Sequence, residues 1–163
     1  MFFINELQKI RNDNSGKIAV FIDMDGVVAD YRFGEGKNIE NNVPGTYLNK
    51  RPISTSINIL KEVNNTFDFD MYILSSCRHD EQAIEKSMWL EKNMPFIDKK
   101  HQLFVVSNTF EDRKMLKINK IKEIMENKYD KVIMIDDTHD ILFLAIKELG
   151  DKVIPYHVIT LFD

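Results

Sequence analysis

Residues 17–28 read KIAVFIDMDGVV, and the fold turns on them. Lys17–Asp23 is a near-continuous apolar run of strand length that stops at two aspartates, Asp23 and Asp25, separated by Met24 and followed by Gly26. An apolar run without alternation is the pattern of a strand covered on both faces, and such strands belong to parallel sheets flanked by helices. Four more runs of this kind follow: Phe69–Ser75 (FDMYILS), Gln102–Ser107 (QLFVVS), Lys131–Asp136 (KVIMID) and Lys152–Val158 (KVIPYHV).

The segments between these runs carry helical spacing. Ile53, Ile57, Leu60 and Val63 share one face, and Ala83, Trp89 and Leu90 a less regular one. Ile118, Ile121, Ile124 and Met125 form the clearest stripe, followed by Leu142, Ala145, Ile146 and Leu149, with Gly150 where a helix stop is expected. Strands alternating with helices predict an α/β fold, a doubly wound, mainly parallel five-stranded sheet. Ligands of such sheets sit beyond the carboxyl ends of the strands, at a topological switch point. Tyr31–Arg51 (YRFGEGKNIENNVPGTYLNKR) has no clear period. It reads as a small lid inserted after the first strand, at about 31–51 of a single domain spanning 1–163.

Size and composition agree with one domain: 163 residues, 44% of them hydrophobic and 29% charged, supply a core and exclude disorder. Twenty-two Lys and Arg against 26 Asp and Glu give a net charge of −4, which argues against a dedicated duplex-binding protein or a stable nucleic-acid partner. No apolar run is long enough for a bilayer span. The opening MFFINELQKIRND turns polar too soon for a secretory signal. A single cysteine, Cys77, excludes an internal disulfide framework. The expected location is the cytoplasm.

The charge is concentrated at strand ends. Asp23 and Asp25 end the first run, Asp136 and Asp137 the fourth, and Asp140 follows. Without those five, Lys and Arg would outnumber Asp and Glu by one. On one rim of the sheet these carboxylates would repel one another and raise their pKa values unless a cation compensated. A hard divalent ion with oxygen ligands, Mg²⁺, meets that need. Ser75 and Ser76 end the second run with hydroxyls for an anion's oxygens, and Arg113, Lys114, Lys117 and Lys120 form a basic run between the third and fourth. Carboxylates for a metal, and hydroxyl and amine for an oxyanion, describe a phosphoryl-transfer site.

Asp23-Met24-Asp25-Gly26-Val27-Val28 resembles the first motif of the haloacid dehalogenase superfamily, Ser75 its second, a lysine of 114–120 its third, and Asp136-Asp137-Thr138-His139-Asp140 its fourth. Closer similarity is to the 5′(3′)-deoxyribonucleotidase-like branch, through the same first motif, Pro44-Gly45, Pro52-Ile53 and the segment Glu85–Lys92. The resemblance implies a Mg²⁺-dependent phosphomonoester hydrolase, nucleotidase-like, acting on a small phosphate ester such as a nucleoside monophosphate. It makes Asp23 the nucleophile, Asp25 the acid and base with a raised pKa, and Asp23, the Asp25 carbonyl and Asp136 or Asp137 the metal ligands. Ser75, Ser76 and a lysine would hold phosphate, that lysine placed at Lys114 with Lys117 close behind, and Lys86 as a further cation. Asp140 would support the metal ligands from outside.

Other readings stay in view. Another small phosphate ester or a nucleic-acid end would use the same chemistry, and an idle phosphate- or partner-binding domain would bind Mg²⁺ without turnover. An EF-hand fails because Val27 and Val28 stand where its loop needs ligands and glycine. A receiver domain fails because Ser107 stands where its acceptor aspartate belongs, and a cysteine phosphatase because Ala83 stands where its arginine belongs. Met88, Trp89 and Leu90 read as core rather than base-stacking groups.

Overall fold

The computed structural model describes residues 2–33 and 45–163. In chain order the elements are α1 (Phe2–Asp13), β1 (Ile18–Ile22), β2 (Ala29–Phe33), β3 (Lys50–Pro52), α2 (Ser54–Thr66), β4 (Asp70–Cys77), α3 (Asp80–Asn93), β5 (Gln102–Val106), α4 (Phe110–Met125), β6 (Lys131–Asp136), α5 (His139–Leu149) and β7 (Val153–His157). The five expected strands form one sheet in the order β5-β4-β1-β6-β7, with every neighbouring pair parallel.

All five residues of β1 are buried because the sheet is covered twice. Ile18, Val20 and Ile22 face a core built with Phe3 and Leu7 of α1, Ile57, Leu60 and Val63 of α2, and Trp89 and Leu90 of α3. Ala19 and Phe21 face the opposite core, with Ile118, Ile121 and Met125 of α4 and Ile141, Leu142 and Ala145 of α5. The chain winds from β1 outward through β4 to β5, then crosses to β6 and β7 on the other side. The carboxyl ends of β1, β4 and β6 therefore meet where the winding reverses, which is the position such sheets give to ligands.

Three details differ from expectation. The opening segment forms α1, whose Phe3 is buried and meets the Tyr156 ring edge-on at 5.2 Å. β4 runs on to Cys77, so Ser75 and Ser76 lie within a strand, paired with Phe104 and Val105 of β5. Met88, expected in the core, is 52% exposed, while Trp89 and Leu90 are buried. Of the expected lid, residues 34–44 lie outside the described residues; its two flanks, β2 and β3, pair antiparallel. Gly150 ends α5 at φ +61°, ψ −136°, a backbone conformation that a residue with a Cβ would strain. Among the described residues, no helix is long and apolar enough to cross a membrane.

Candidate functional site

The chain leaves β1 through Asp23, whose N–H donates to the Ile135 carbonyl at 2.9 Å and so extends the β1–β6 register. It then wraps around the Met24 carbonyl, which accepts from the N–H groups of Val27, Val28 and Ala29. That tight wrap needs Gly26, at φ +77°: a Cβ there would fall on the Asp137 carboxylate and the Tyr31 ring. The bare glycine is what lets the loop of β1 lie against the loop of β6.

Asp23 and Asp136 face each other across one ammonium. Lys117, buried on α4, donates to Asp23 Oδ1 at 2.6 Å and to Asp136 Oδ2 at 2.9 Å. The other Asp136 oxygen accepts from the Thr138 N–H at 2.9 Å. Burial, reinforced by Asp136 and Asp25, pushes the Asp23 carboxyl up to about 7 even though Lys117 opposes it. Burial works against the charge on Lys117, but Asp23 and Asp136 outweigh it and hold that ammonium above its ordinary range. Asp137 completes the rim. Its Oδ2 accepts from the Tyr31 hydroxyl at 2.8 Å, and its carbonyl lies 3.0 Å from His157 Nε2. Asp23, Asp136 and Asp137 each place a carboxylate oxygen within 4.8 Å of the others. Three hard oxygen donors against one buried ammonium form a set that can hold a metal ion.

Asp25 has different neighbours. Lys50 Nζ donates to its Oδ1 at 2.7 Å, the buried Tyr47 hydroxyl donates to the same oxygen, and Lys86 Nζ donates to Oδ2 at 2.7 Å. Burial alone would raise this carboxyl, but Lys86 and Lys50 overcome it and hold it well below the usual carboxylate range. The expectation of a raised Asp25 pKa is thereby corrected: burial and the neighbouring carboxylates raise Asp23, while Lys86 and Lys50 favour the charged form of Asp25. Lys86 also donates to Ser75 Oγ at 2.7 Å and to the Ser76 carbonyl at 2.8 Å, so all three of its N–H bonds are engaged.

These groups surround one cavity of about 210 Å³, lined by Asp23, Asp25, Tyr47, Lys50, Lys86 and Lys117, with Ser76, Arg78, Phe110 and Arg113 also on its wall. Lys114 is not among them. It pairs with Glu111 at 2.8 Å, lies over the Phe110 ring, and lines a separate cavity with Asp140. The lysine on the carboxylates is Lys117, and Asp140 belongs to that neighbouring surface. A larger cavity of about 790 Å³ lies beside the far ends of α4 and α5, lined by Lys122, Asn127 and Lys152 and remote from the carboxylates. Asp23 of the aspartate triad and the buried Lys50, Lys86 and Lys117 line the smaller cavity, which makes it the candidate site. Sequence reasoning missed Lys50 altogether, and it assigned neither Tyr47 to Asp25 nor Tyr31 to Asp137. None of the three sits in a periodic segment, and no local signal marks them.

No family model and no curated protein matches the chain. Among solved structures it is similar to a chain of the Pnkp1/Rnl/Hen1 RNA repair complex, at 18% identity and a TM-score of 0.63. The match covers 89% of this chain and 44% of that one, so this chain spans less than half the length of its structural neighbour. At that identity the likeness concerns the fold: an α/β architecture around a five-stranded parallel sheet.

Proposed function

We propose that the chain is a Mg²⁺-dependent phosphomonoester hydrolase of the haloacid dehalogenase type, acting through an aspartyl-phosphate and nucleotidase-like in its substrates. The observation that carries this is the placement of Asp23: on one rim with the buried Asp136 and the half-buried Asp137, on Lys117, and facing the cavity that holds Asp25 and Lys86. In this reading residues 1–163 are one catalytic domain, and the insert at about 31–51 is its lid.

Asp23 attacks phosphorus, its Oδ–P bond forming as the bond to the leaving oxygen breaks. Asp25, having taken a proton from solvent as the phosphate draws Lys86 away, gives that proton to the leaving oxygen. Water then attacks phosphorus, Asp25 takes the water's proton, and the Asp23–phosphorus bond breaks to free inorganic phosphate. Lys117 offsets one of the two charges of Asp23 and Asp136 at rest, and Ser75, Ser76 and Lys86 receive the phosphoryl oxygens. A phosphate drawn onto Lys86 competes with Asp25 for that ammonium, and losing this partner moves Asp25 toward the range in which it donates. Asp23, Asp136 or Asp137, and the Asp25 carbonyl would hold Mg²⁺, which supplies charge neutralisation between nucleophile and phosphate. The cavity is smaller than the roughly 300–1,000 Å³ of pockets that enclose a ligand, so the phosphoryl group enters and most of the leaving alcohol stays at the mouth.

A phosphorylated nucleic-acid end is the second reading, favoured by Arg78 and Arg113 on the wall of the same cavity. One screen separates them: phosphate release from nucleoside monophosphates, sugar phosphates, p-nitrophenyl phosphate and end-phosphorylated oligonucleotides, with and without Mg²⁺. Release from nucleoside monophosphates that requires Mg²⁺ is expected. Release confined to a sugar phosphate would end the nucleotidase reading, and release from nothing would end the phosphatase one.

A further inference from the structure

Asp25 is gripped from two sides by elements of different origin. Lys86 holds Oδ2 from α3, while Lys50 and Tyr47 hold Oδ1 from the arm that leads into β3. That arm is itself fastened to α3. The Glu85 carboxylate accepts from the Gly45 and Tyr47 N–H groups, and the buried Trp89 donates its Nε1–H to the Lys50 carbonyl at 2.9 Å. Lys50 is 5% exposed, and its ammonium lies 4.6 Å from the Tyr47 ring centroid, which fixes the direction of the side chain as well as its charge. A long flexible side chain is costly to immobilise, and here backbone, ring and carboxylate all hold it in one place.

The two grips are unequal once phosphate arrives. Lys86 also holds the buried Ser75 hydroxyl and the carbonyl of Ser76, and with Ser76 it lines the wall where an anion would sit, so a phosphoryl group competes for it. Lys50 and Tyr47 touch the opposite oxygen. We infer that Lys50, supported by Tyr47, is a positioning residue: it keeps Oδ1 of Asp25 fixed while Oδ2 is released from Lys86 to meet the leaving oxygen. The arm carrying Lys50 is anchored by Glu85 and Trp89 on a single face of α3, which holds it in register with the acid. This inference rests on the phosphatase reading above and adds to it a role for a residue that would otherwise pass as a phosphate ligand.

The test is the dependence on leaving group in wild type, Lys50→Met, Lys50→Arg and Tyr47→Phe. p-Nitrophenolate departs without a proton, whereas an alkyl phosphate needs Asp25 in place. General acid catalysis is commonly worth about 10²–10⁴-fold, so Lys50→Met should lose at least about tenfold more kcat on the alkyl ester than on p-nitrophenyl phosphate. KM should hardly change, Lys50→Arg should recover part of the loss, and Tyr47→Phe should show a smaller loss of the same kind. Equal losses on both esters, or a rise in KM alone, would overturn the positioning role. If Lys50→Met does not fold, an unchanged ester ratio in both Lys50→Arg and Tyr47→Phe overturns it equally. A wild type that hydrolyses neither ester ends the phosphatase reading and this one with it. A wild type active on both, with the ratio unmoved in every variant, ends this one alone.

Discussion

Asp23 and Asp25 stand two residues apart in the chain and belong to different regions of the molecule. Asp23 lies on the sheet rim, where the β1–β6 register and Lys117 of α4 place it against Asp136. Asp25 lies under the insert arm, where Lys50, Tyr47 and Lys86 converge on it from outside the sheet. The rim buries Asp23 among carboxylates and drives it up, whereas the arm gathers cations around one carboxylate and drives Asp25 down. A two-residue step thus yields two carboxylates with opposite tendencies, and both run against the proposed roles until a cation on the rim draws Asp23 down and a phosphate draws Lys86 away from Asp25. The rim is fixed by strand register, the arm by side chains that reach it from loop and helix.

The largest effects should come from the rim. Asp23→Asn keeps the shape and removes the nucleophile, so turnover of p-nitrophenyl phosphate should fall at least about a thousandfold. A variant turning over at the wild-type rate would end the nucleophile assignment. Lys117→Met leaves Asp23 and Asp136 facing each other with no ammonium between them. Breaking a buried pair typically costs about 3–5 kcal/mol, and denaturant unfolding should show a loss of that order. A loss below about 1 kcal/mol would mean that Lys117 is not structurally required.

What could be read from residues alone follows the same division. The five strands were legible because KIAVFID and its counterparts are short apolar runs ending in polar residues, and that pattern has one common solution. The aspartate pairs and Ser75 were legible because they end such runs. Lys50 and Tyr47 were not, since they lie in an aperiodic stretch more than 20 residues from Asp25 and meet it through tertiary packing. Lys86 blurred its own helix: a buried lysine interrupts the apolar face of α3, which is why Ala83, Trp89 and Leu90 looked irregular. α1 was passed over because Phe3 and Leu7, one turn apart, make too short a stripe beside polar neighbours.

Two intermediate effects sharpen the contact between rim and loop. Gly26→Ala forces a Cβ onto the Asp137 carboxylate and the Tyr31 ring from a left-handed backbone. Strain of this kind runs to about 1–3 kcal/mol, so Tm should drop by several degrees; an unchanged Tm would show that the loop of β1 can move off β6. A divalent ion acts in the other direction. At a concentration about a hundred times its Kd it should stabilise the fold by about 2.7 kcal/mol, visible as a Tm rise in Mg²⁺ over EDTA. Asp137→Asn should lose most of that rise, and an undiminished rise would remove Asp137 from the ligand set.

Cys77 probes the arm side by chemistry. It is buried in the cavity wall beside Asp25, and burial pushes its thiol up to about 11. The thiolate is the reactive form, so at pH 8 native protein should react with iodoacetamide far more slowly than urea-unfolded protein. Equal rates would mean that the wall opens readily.

The smallest effect should fall on Lys114, three residues before Lys117 on α4. Both lysines border the stripe that contains Ile118 and Ile121, so helical periodicity does not choose between them. Height along the axis does: three residues are about 4.5 Å of rise, which carries Lys114 past the carboxylates to Glu111 and the Phe110 ring. Its partner is largely exposed, and ion pairs of that kind contribute about 0–1 kcal/mol. Lys114→Ala should therefore keep kcat and KM within about twofold and shift stability by no more than about 0.5 kcal/mol. A hundredfold loss of turnover with intact folding would relocate the phosphate-site lysine and return Lys117 to a purely structural part.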